Sequence, residues 1–283
     1  MSSSDYQLLS TNLLPTRLKN SSKFDYGRVV VIGGTSAMRG APSLCAHAAI
    51  ALGAGIVELI APAIHPLTPR EIISHQIASH RDGTISTSEK DRIDNILSRA
   101  SVVAIGPGLG GNVDTIGMLA DCLSRMDSTV QVIIDADGLR MAPPDLTRTG
   151  MVLTPHMGEF ARLLGKDRMS VTNNYIELAQ QWAKQYQCVL HLKHVPSVTT
   201  DGMTTSYLHS GTPAMATAGA GDVLTGIIAA LCAQGVQTYE ATRLGALIHA
   251  RAGEHIVQST YKRSIMAHEL IDASICVAST LTQ

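Results

Sequence analysis

The feature that most constrains this chain is a repeated alternation of short apolar runs and helical patterns. "RVVVIGG" (28–34) has the continuous β-branched character of a buried strand ending in glycines, and the alanine-rich "APSLCAHAAIALGA" (41–54) follows as a helix. "GIVELIAP" is the next strand. "SVVAIGPGLGG" (101–111) is a strand entering a glycine turn, "NVDTIGMLADCLSRM" a helix and "VQVIIDADGL" (130–139) a strand. "MVLTPHMGEFARLLG" (151–165) is a short strand passing into a helix, and the amphipathic helix "NYIELAQQWAKQY" (174–186) precedes the strand "CVLHLK". A βαβα order of this kind predicts a mostly parallel central sheet with helices on both faces, an α/β fold in three layers. No linker or repeat divides the chain, so residues 1–283 are expected to form a single domain.

Composition narrows the class of partner. The 283 residues are 45% hydrophobic and 16% charged, with a formal net charge of -1, so no basic stripe is present to bind a nucleic-acid backbone. The five cysteines (Cys45, Cys122, Cys188, Cys232, Cys276) are scattered and never form a CxxC pair. They imply neither a disulfide framework nor a zinc site, and a reducing cytoplasm fits them best. The first 24 residues lack an apolar leader, and no later run is long and apolar enough to span a membrane. "HEL" at 268–270 has no metal-ligand spacing and reads as ordinary helix. No metal-ligating residues are assigned.

Parallel α/β sheets bind ligands beyond the carboxyl ends of their strands. Here those ends read "GGTSAMRGA", "GPGLGG", "DADGL", "TPHMGE" and "LKH", joined by "AGAGD" before the last long apolar helical pattern. A glycine-rich turn feeding a helix offers unpaired N–H groups at the positive end of the helix dipole, a natural anion site. The Walker pattern GxxxxGK[ST] is absent. "AGAGD" instead sets a carboxylate, Asp222, where phosphate would bind. That placement makes chemical sense for a base taking a proton from a hydroxyl that attacks the phosphate. The plainer alternative is that Asp222 N-caps a helix beginning at Val223.

The run "AGAGDVLTG", together with "YGRVVVIGGTSAMRGAPSLCAHAAIALGAGIVELIAP", "AIGPGLG", "IIDADGL", "TPHMGEFARLLG" and "GTPAMATAGAGD", resembles the ADP-dependent NAD(P)H-hydrate dehydratases of the ribokinase-like superfamily, over almost the whole chain. The resemblance implies a ribokinase-like three-layer sandwich. It also implies repair of hydrated NADH or NADPH, with ADP or ATP as co-substrate and Mg²⁺ as cofactor. The ring hydroxyl would be phosphorylated and phosphate then eliminated.

By that resemblance Asp222 is the catalytic base, and the backbone of Ala218, Gly219, Ala220 and Gly221 forms the anion hole. Lys193, His194, Val195, Pro196 and Ser197, with Gly221, contact the nucleotide. Ala41, Gly108, His156 and Asp222 contact the hydrated dinucleotide. Each has a plainer alternative: a solvent-reaching strand-end lysine at 193, a structural histidine at 156, and helix or turn packing at 41 and 108. Asp135 and Asp137 could hold Mg²⁺, or could be one pocket-wall residue and one turn cap. The chain departs from the family at His194 and Ser197, where glycine and threonine are usual. Further departures are Met157, Thr212, Ala214 and Ala218.

The resemblance further implies a homo-oligomer, working beside a separate epimerase because no epimerase domain precedes the first strand. Two other readings fit the glycine loop: a small-molecule kinase of the same superfamily acting on a vitamin-precursor alcohol, and a catalytically silent nucleotide-binding protein.

Overall fold

The structure is a computed structural model that describes residues 14–281 apart from positions 144, 145, 147 and 149. Positions 1–13, part of the N-terminal stretch read above as lacking an apolar leader, lie outside the described residues. Among the described residues nine strands form one sheet: β1 (Arg28–Ile32), β2 (Ile56–Ala61), β3 (Ile73–Gln76), β4 (Val102–Ile105), β5 (Gln131–Ile134), β6 (Met151–Leu153), β7 (Val189–Leu192), β8 (Ser197–Thr200) and β9 (Thr205–Leu208). Their order is β3-β2-β1-β4-β5-β6-β7-β8-β9. The first seven run parallel, and β8 and β9 extend the edge antiparallel.

The helices are α1 (Gly40–Ala51), α2 (Lys90–Leu97), α3 (Val113–Ser124), α4 (Met157–Leu163), α5 (Arg168–Thr172), α6 (Tyr175–Tyr186), α7 (Ala220–Ala233), α8 (Thr238–Thr260) and α9 (Ala267–Thr280). Alternate residues of each central strand serve opposite cores, as the two-residue period of a strand requires. Val29, Val31, Val57 and Ala104 pack with side chains of α1, α7, α8 and α9. Val30, Ile32, Val103 and Ile105 pack with those of α2, α3, α4 and α6. The sheet is therefore covered on both faces, in the three layers expected from the sequence. Among the described residues no helix is long and apolar enough to cross a membrane.

One strand is less plain than its sequence. Glu58 lies in the middle of β2 with about 1% exposure. It pairs with Arg28 and with His75 Nε2, the latter at 2.6 Å. Burial alone would raise its pKa, but hydrogen bonds and charge from these two partners outweigh burial and hold the carboxyl below its ordinary value.

The strand order reverses between β1 and β4, so the loops after these strands diverge and open a crevice. α7 crosses this centre of the sheet, held close by Gly226. A Cβ at that position would lie 2.2 Å from the Cys45 carbonyl oxygen and 2.7 Å from Ala48 Cβ in α1. The small residue lets the two helices touch backbone to side chain, which fixes where α7 begins.

Candidate active site

Five strand ends and one helix start deliver the polar groups. The helix start differs from the alternative in which Asp222 caps a helix beginning at Val223. α7 begins at Ala220 with Gly219 as its N-cap, in the left-handed region at φ +93° and with no side-chain cap bond. Asp222 therefore sits inside the first turn and is not an N-cap. A side chain at Gly219 would collide with Ala267 Cβ and Leu44 Cδ1, both 2.8 Å from the Cβ position, so glycine answers both conformation and space. N–H groups of a first turn have no intrahelical partner. The Ala220 N–H turns back weakly to the Thr217 carbonyl at 3.4 Å, and no side chain caps the others. Gly219, Ala220, Gly221 and Asp222 line the cavity described below, whereas Ala218 is exposed and does not.

Opposite this turn lies the end of β7. The Lys193 N–H donates to the Pro155 carbonyl at 2.9 Å, extending the β6–β7 register past the strands through a His156–Lys193 bridge. Its ammonium lies 2.7 Å from Asp135 Oδ1 at the end of β5. The other Asp135 oxygen accepts from Thr225 Oγ1 at 2.9 Å, one turn into α7. Burial works against a charged Lys193. The carboxylates of Asp135, Glu159 and Asp222 outweigh it and raise the lysine above its ordinary value. It is a permanent cation at neutral pH.

Asp222 is half-buried and, among the described residues, its carboxylate has no hydrogen-bond partner. Burial, then the nearby negative charge of Asp135, push its carboxyl up to about 7, against the opposing pull of Lys193. A carboxyl poised there can exchange a proton under physiological conditions.

These groups line a cavity of about 930 Å³. Of the predicted nucleotide segment, Lys193, His194, Val195 and Ser197 line it, as does Gly221; Pro196 does not. Residues 193–196 connect β7 to β8, and Ser197 opens β8 opposite Leu208. His194, the departure from the family's glycine, packs edge-on against Tyr175 at 5.0 Å between ring centroids. Its ring is thereby occupied on one side by a protein neighbour.

His156 serves the backbone as well as the cavity. It N-caps α4, its Nδ1 accepting from the Gly158 and Glu159 N–H groups at 3.0 and 3.2 Å, while Glu159 accepts from the His156 N–H at 2.8 Å. With Nδ1 engaged as acceptor, Nε2 carries the proton of the neutral ring, on a side chain 57% exposed.

Ala41 and Gly108 come together elsewhere, at the crevice where strand order reverses. Gly108 has φ +63°, and a Cβ there would lie 2.8 Å from the Met38 carbonyl oxygen and 3.3 Å from Ala41 Cβ. Neither residue lines the cavity around Lys193. Asp137 secures this second region by accepting from the Gly110 N–H at 2.9 Å.

The alternative in which Asp135 and Asp137 share a metal does not fit this geometry. Lys193 and Thr225 take both oxygens of Asp135, and the glycine turn takes Asp137. Among the described residues no group of three or more His, Cys, Asp or Glu side chains could hold a metal ion.

Three cavity residues carry no strong sequence signal. Glu159 faces Lys193 from α4. His191, buried in β7, hydrogen-bonds Thr199 Oγ1 through Nδ1 at 2.9 Å, and His249 enters from α8. Burial first, then the Lys193 charge, drive His191 down to about 3. His249 is lowered to about 4 mainly by burial, partly offset by the Ala220 backbone. Both rings are neutral near pH 7. The hydrophobic pattern of β7 marks His191 as inward-facing; nothing local marks the others.

Known proteins agree with this architecture. The family profile described as Carb_kinase, NAD(P)H-hydrate dehydratase, matches residues 29–275. A bifunctional NAD(P)H-hydrate repair enzyme, Nnr, from Moorella thermoacetica is 38% identical over 272 residues, covering 92% of this chain and 50% of the relative. The chain spans about half the length of the curated relatives it matches. An ADP/ATP-dependent NAD(P)H-hydrate dehydratase from Bacillus subtilis, co-crystallised with ATP and Mg²⁺, superposes with a TM-score of 0.78 at 26% identity, over 95% of this chain and 94% of the other. A ribokinase-like superfamily protein from Enterococcus faecalis V583 gives a TM-score of 0.83 at 26% identity, over 95% and 93%. The chain has the ribokinase-like α/β fold and belongs to the NAD(P)H-hydrate dehydratase family.

Proposed function

We propose that this chain restores NADH or NADPH from the S epimer of the hydrated cofactor, using ADP or ATP to phosphorylate the ring hydroxyl and then eliminating phosphate. One observation carries the proposal. A carboxyl poised near neutrality, Asp222, lines the same cavity as an uncapped helix start and the permanently charged Lys193. The family, and the ATP and Mg²⁺ present in the crystals of the Bacillus subtilis protein, support it.

The chemistry follows from these groups. Asp222 takes the proton of the C6 hydroxyl as its oxygen attacks the terminal phosphorus of the donor. The N–H groups of Gly219 and Gly221 and the Lys193 ammonium stabilise charge on the transferring phosphoryl. The donor leaves as AMP from ADP, or as ADP from ATP. The ring nitrogen then pushes its lone pair toward C6, the C–O bond breaks with its electrons on phosphate, and loss of the C5 proton restores the dihydropyridine. Ala41 and Gly108, small residues at the crevice, leave room for the dinucleotide.

The donor set suits a Mg²⁺ carried by the nucleotide's own phosphates and water, because no all-protein cage exists among the described residues. When bound, that ion supplies charge screening on the phosphates. Within this proposal the protein works as a cytoplasmic homo-oligomer alongside an NAD(P)H-hydrate epimerase activity, as the family resemblance implies. Incubation with hydrated NADH, ADP and Mg²⁺ tests the activity: reduced-nicotinamide absorbance should return, and its failure to return would refute the proposal.

A further inference from the structure

We propose that Asp135 is a positioning residue, whose buried carboxylate fixes the Lys193 ammonium at the start of α7 so that the lysine meets the donor phosphate in one orientation. The inference rests on the reading of Lys193 as a phosphate contact. Three observations support it. Asp135 is about 1% exposed and spends both oxygens across the fold, on Lys193 from β7 and on Thr225, itself fully buried, from α7. It does so although it stands at the N-cap of the 3-10 turn Ala136–Met141, where an aspartate would ordinarily cap the turn; no such bond is made. The next residue, Ala136, has φ +49°, a strained conformation for a residue with a Cβ, and it too lines the cavity. Finally, Gly221 leaves the pair unobstructed. A Cβ there would lie 3.3 Å from Lys193 Nζ and 3.7 Å from Asp135 Oδ2.

Stability alone is a poor reason to keep such a pair. A buried ion pair is commonly replaceable by apolar residues at no cost, whereas removing one partner strands the other's charge. That asymmetry separates a positioning role from a structural one. Lys193→Met should lower the melting temperature by stranding Asp135, and Asp135→Asn combined with Lys193→Met should recover it without recovering activity.

Asp135 also adds negative charge near Asp222, which is faced by Lys193 from β7 and the Cys45 thiol from α1; Glu159, His191 and His249 stand around the lysine. Removing that charge should favour ionised Asp222 and move the acidic limb of the kcat/KM profile to lower pH. A purely structural residue would not move it.

The experiment compares the parent, Asp135→Asn, Lys193→Met and the double variant at pH 8.5, where Asp222 is ionised, by ADP titration and steady-state kinetics. Asp135→Asn should weaken ADP binding and kcat/KM by about tenfold, the scale of a misplaced charged contact. The double variant should be no worse than Lys193→Met, because Asp135 acts through the lysine. As a check independent of charge, Thr225→Val should raise the nucleotide KM about fivefold, the scale of one hydrogen bond, and Thr225→Ser should restore it. Additive losses, an unmoved acidic limb, or parent-like binding in Asp135→Asn and Thr225→Val beside a defective Lys193→Met would overturn the inference alone. ADP binding by Lys193→Met equal to the parent's would overturn the reading of Lys193, and the inference with it.

Discussion

Gly221 and Lys193 meet so closely that a methyl group on the glycine would start 3.3 Å from the lysine Nζ, which is tight for any carbon contact. The helix start and the strand end are therefore built around each other, although they lie 28 positions apart in the chain. Gly221 has no positive φ to satisfy, so its lack of a side chain serves the space beside the ammonium.

That relationship yields a split between stability and function. In Gly221→Ala, better helix propensity should leave stability unchanged or raise it by up to about 1 kcal/mol. The displaced lysine should raise the nucleotide KM several-fold. Urea unfolding and steady-state kinetics on the same preparation check both halves.

Asp222→Asn should keep the fold and nucleotide binding while lowering turnover by roughly 10²-fold or more, the scale of a lost general base. Turnover within a few-fold of the parent at saturating substrate would remove Asp222 from the role of base.

The pH dependence of stability has a definite sign. The folded carboxyl of Asp222 is raised to about 7 from an ordinary value of 3.8, so the folded state binds this proton more tightly than the unfolded chain. The associated stability is complete below about pH 3.8 and is lost as pH rises through about 7. Asp222→Asn, which carries no charge, should therefore melt higher than the parent at pH 8, with the gap closing as pH falls through 7 toward 4. Parallel melting curves across that range would contradict the raised value.

His156 can be divided into its two duties. Asparagine is a good N-cap, so His156→Asn should hold α4, whereas His156→Ala should lose about 1 kcal/mol. If the protonated Nε2 contacts the hydrated dinucleotide, both variants should raise its KM. A parent-like KM in His156→Asn would leave the imidazole as a cap only.

Much of this was legible in the sequence because central strands of a parallel sheet are nearly continuous apolar runs. "RVVVI", "IVELIA" and "VVAI" announce themselves, and their glycine-rich exits mark the ligand edge. The polar edge strand "ISHQ" does not, because three of its four residues are exposed and the other is half-buried. The threonine-rich β8 and β9 were hidden within what reads as a nucleotide loop and its sequel. The capping alternative started α7 three residues late, since alanine and glycine before Asp222 resemble a loop. The links among Asp135, Lys193 and Thr225 join residues 58 and 90 positions apart, and sequence order alone carries no trace of them.

In the proposed reaction phosphorylation ends in elimination. A kinase acting on an ordinary alcohol has no adjacent nitrogen to expel the ester, whereas the hydrated nicotinamide ring does. Phosphorus NMR of the protein with hydrated NADH, ADP and Mg²⁺, read beside reduced-nicotinamide absorbance, tests this most directly. Inorganic phosphate and NADH should rise together in equal amounts. Untouched hydrated NADH, with a vitamin-precursor alcohol converted instead to a persistent phosphate ester, would contradict it.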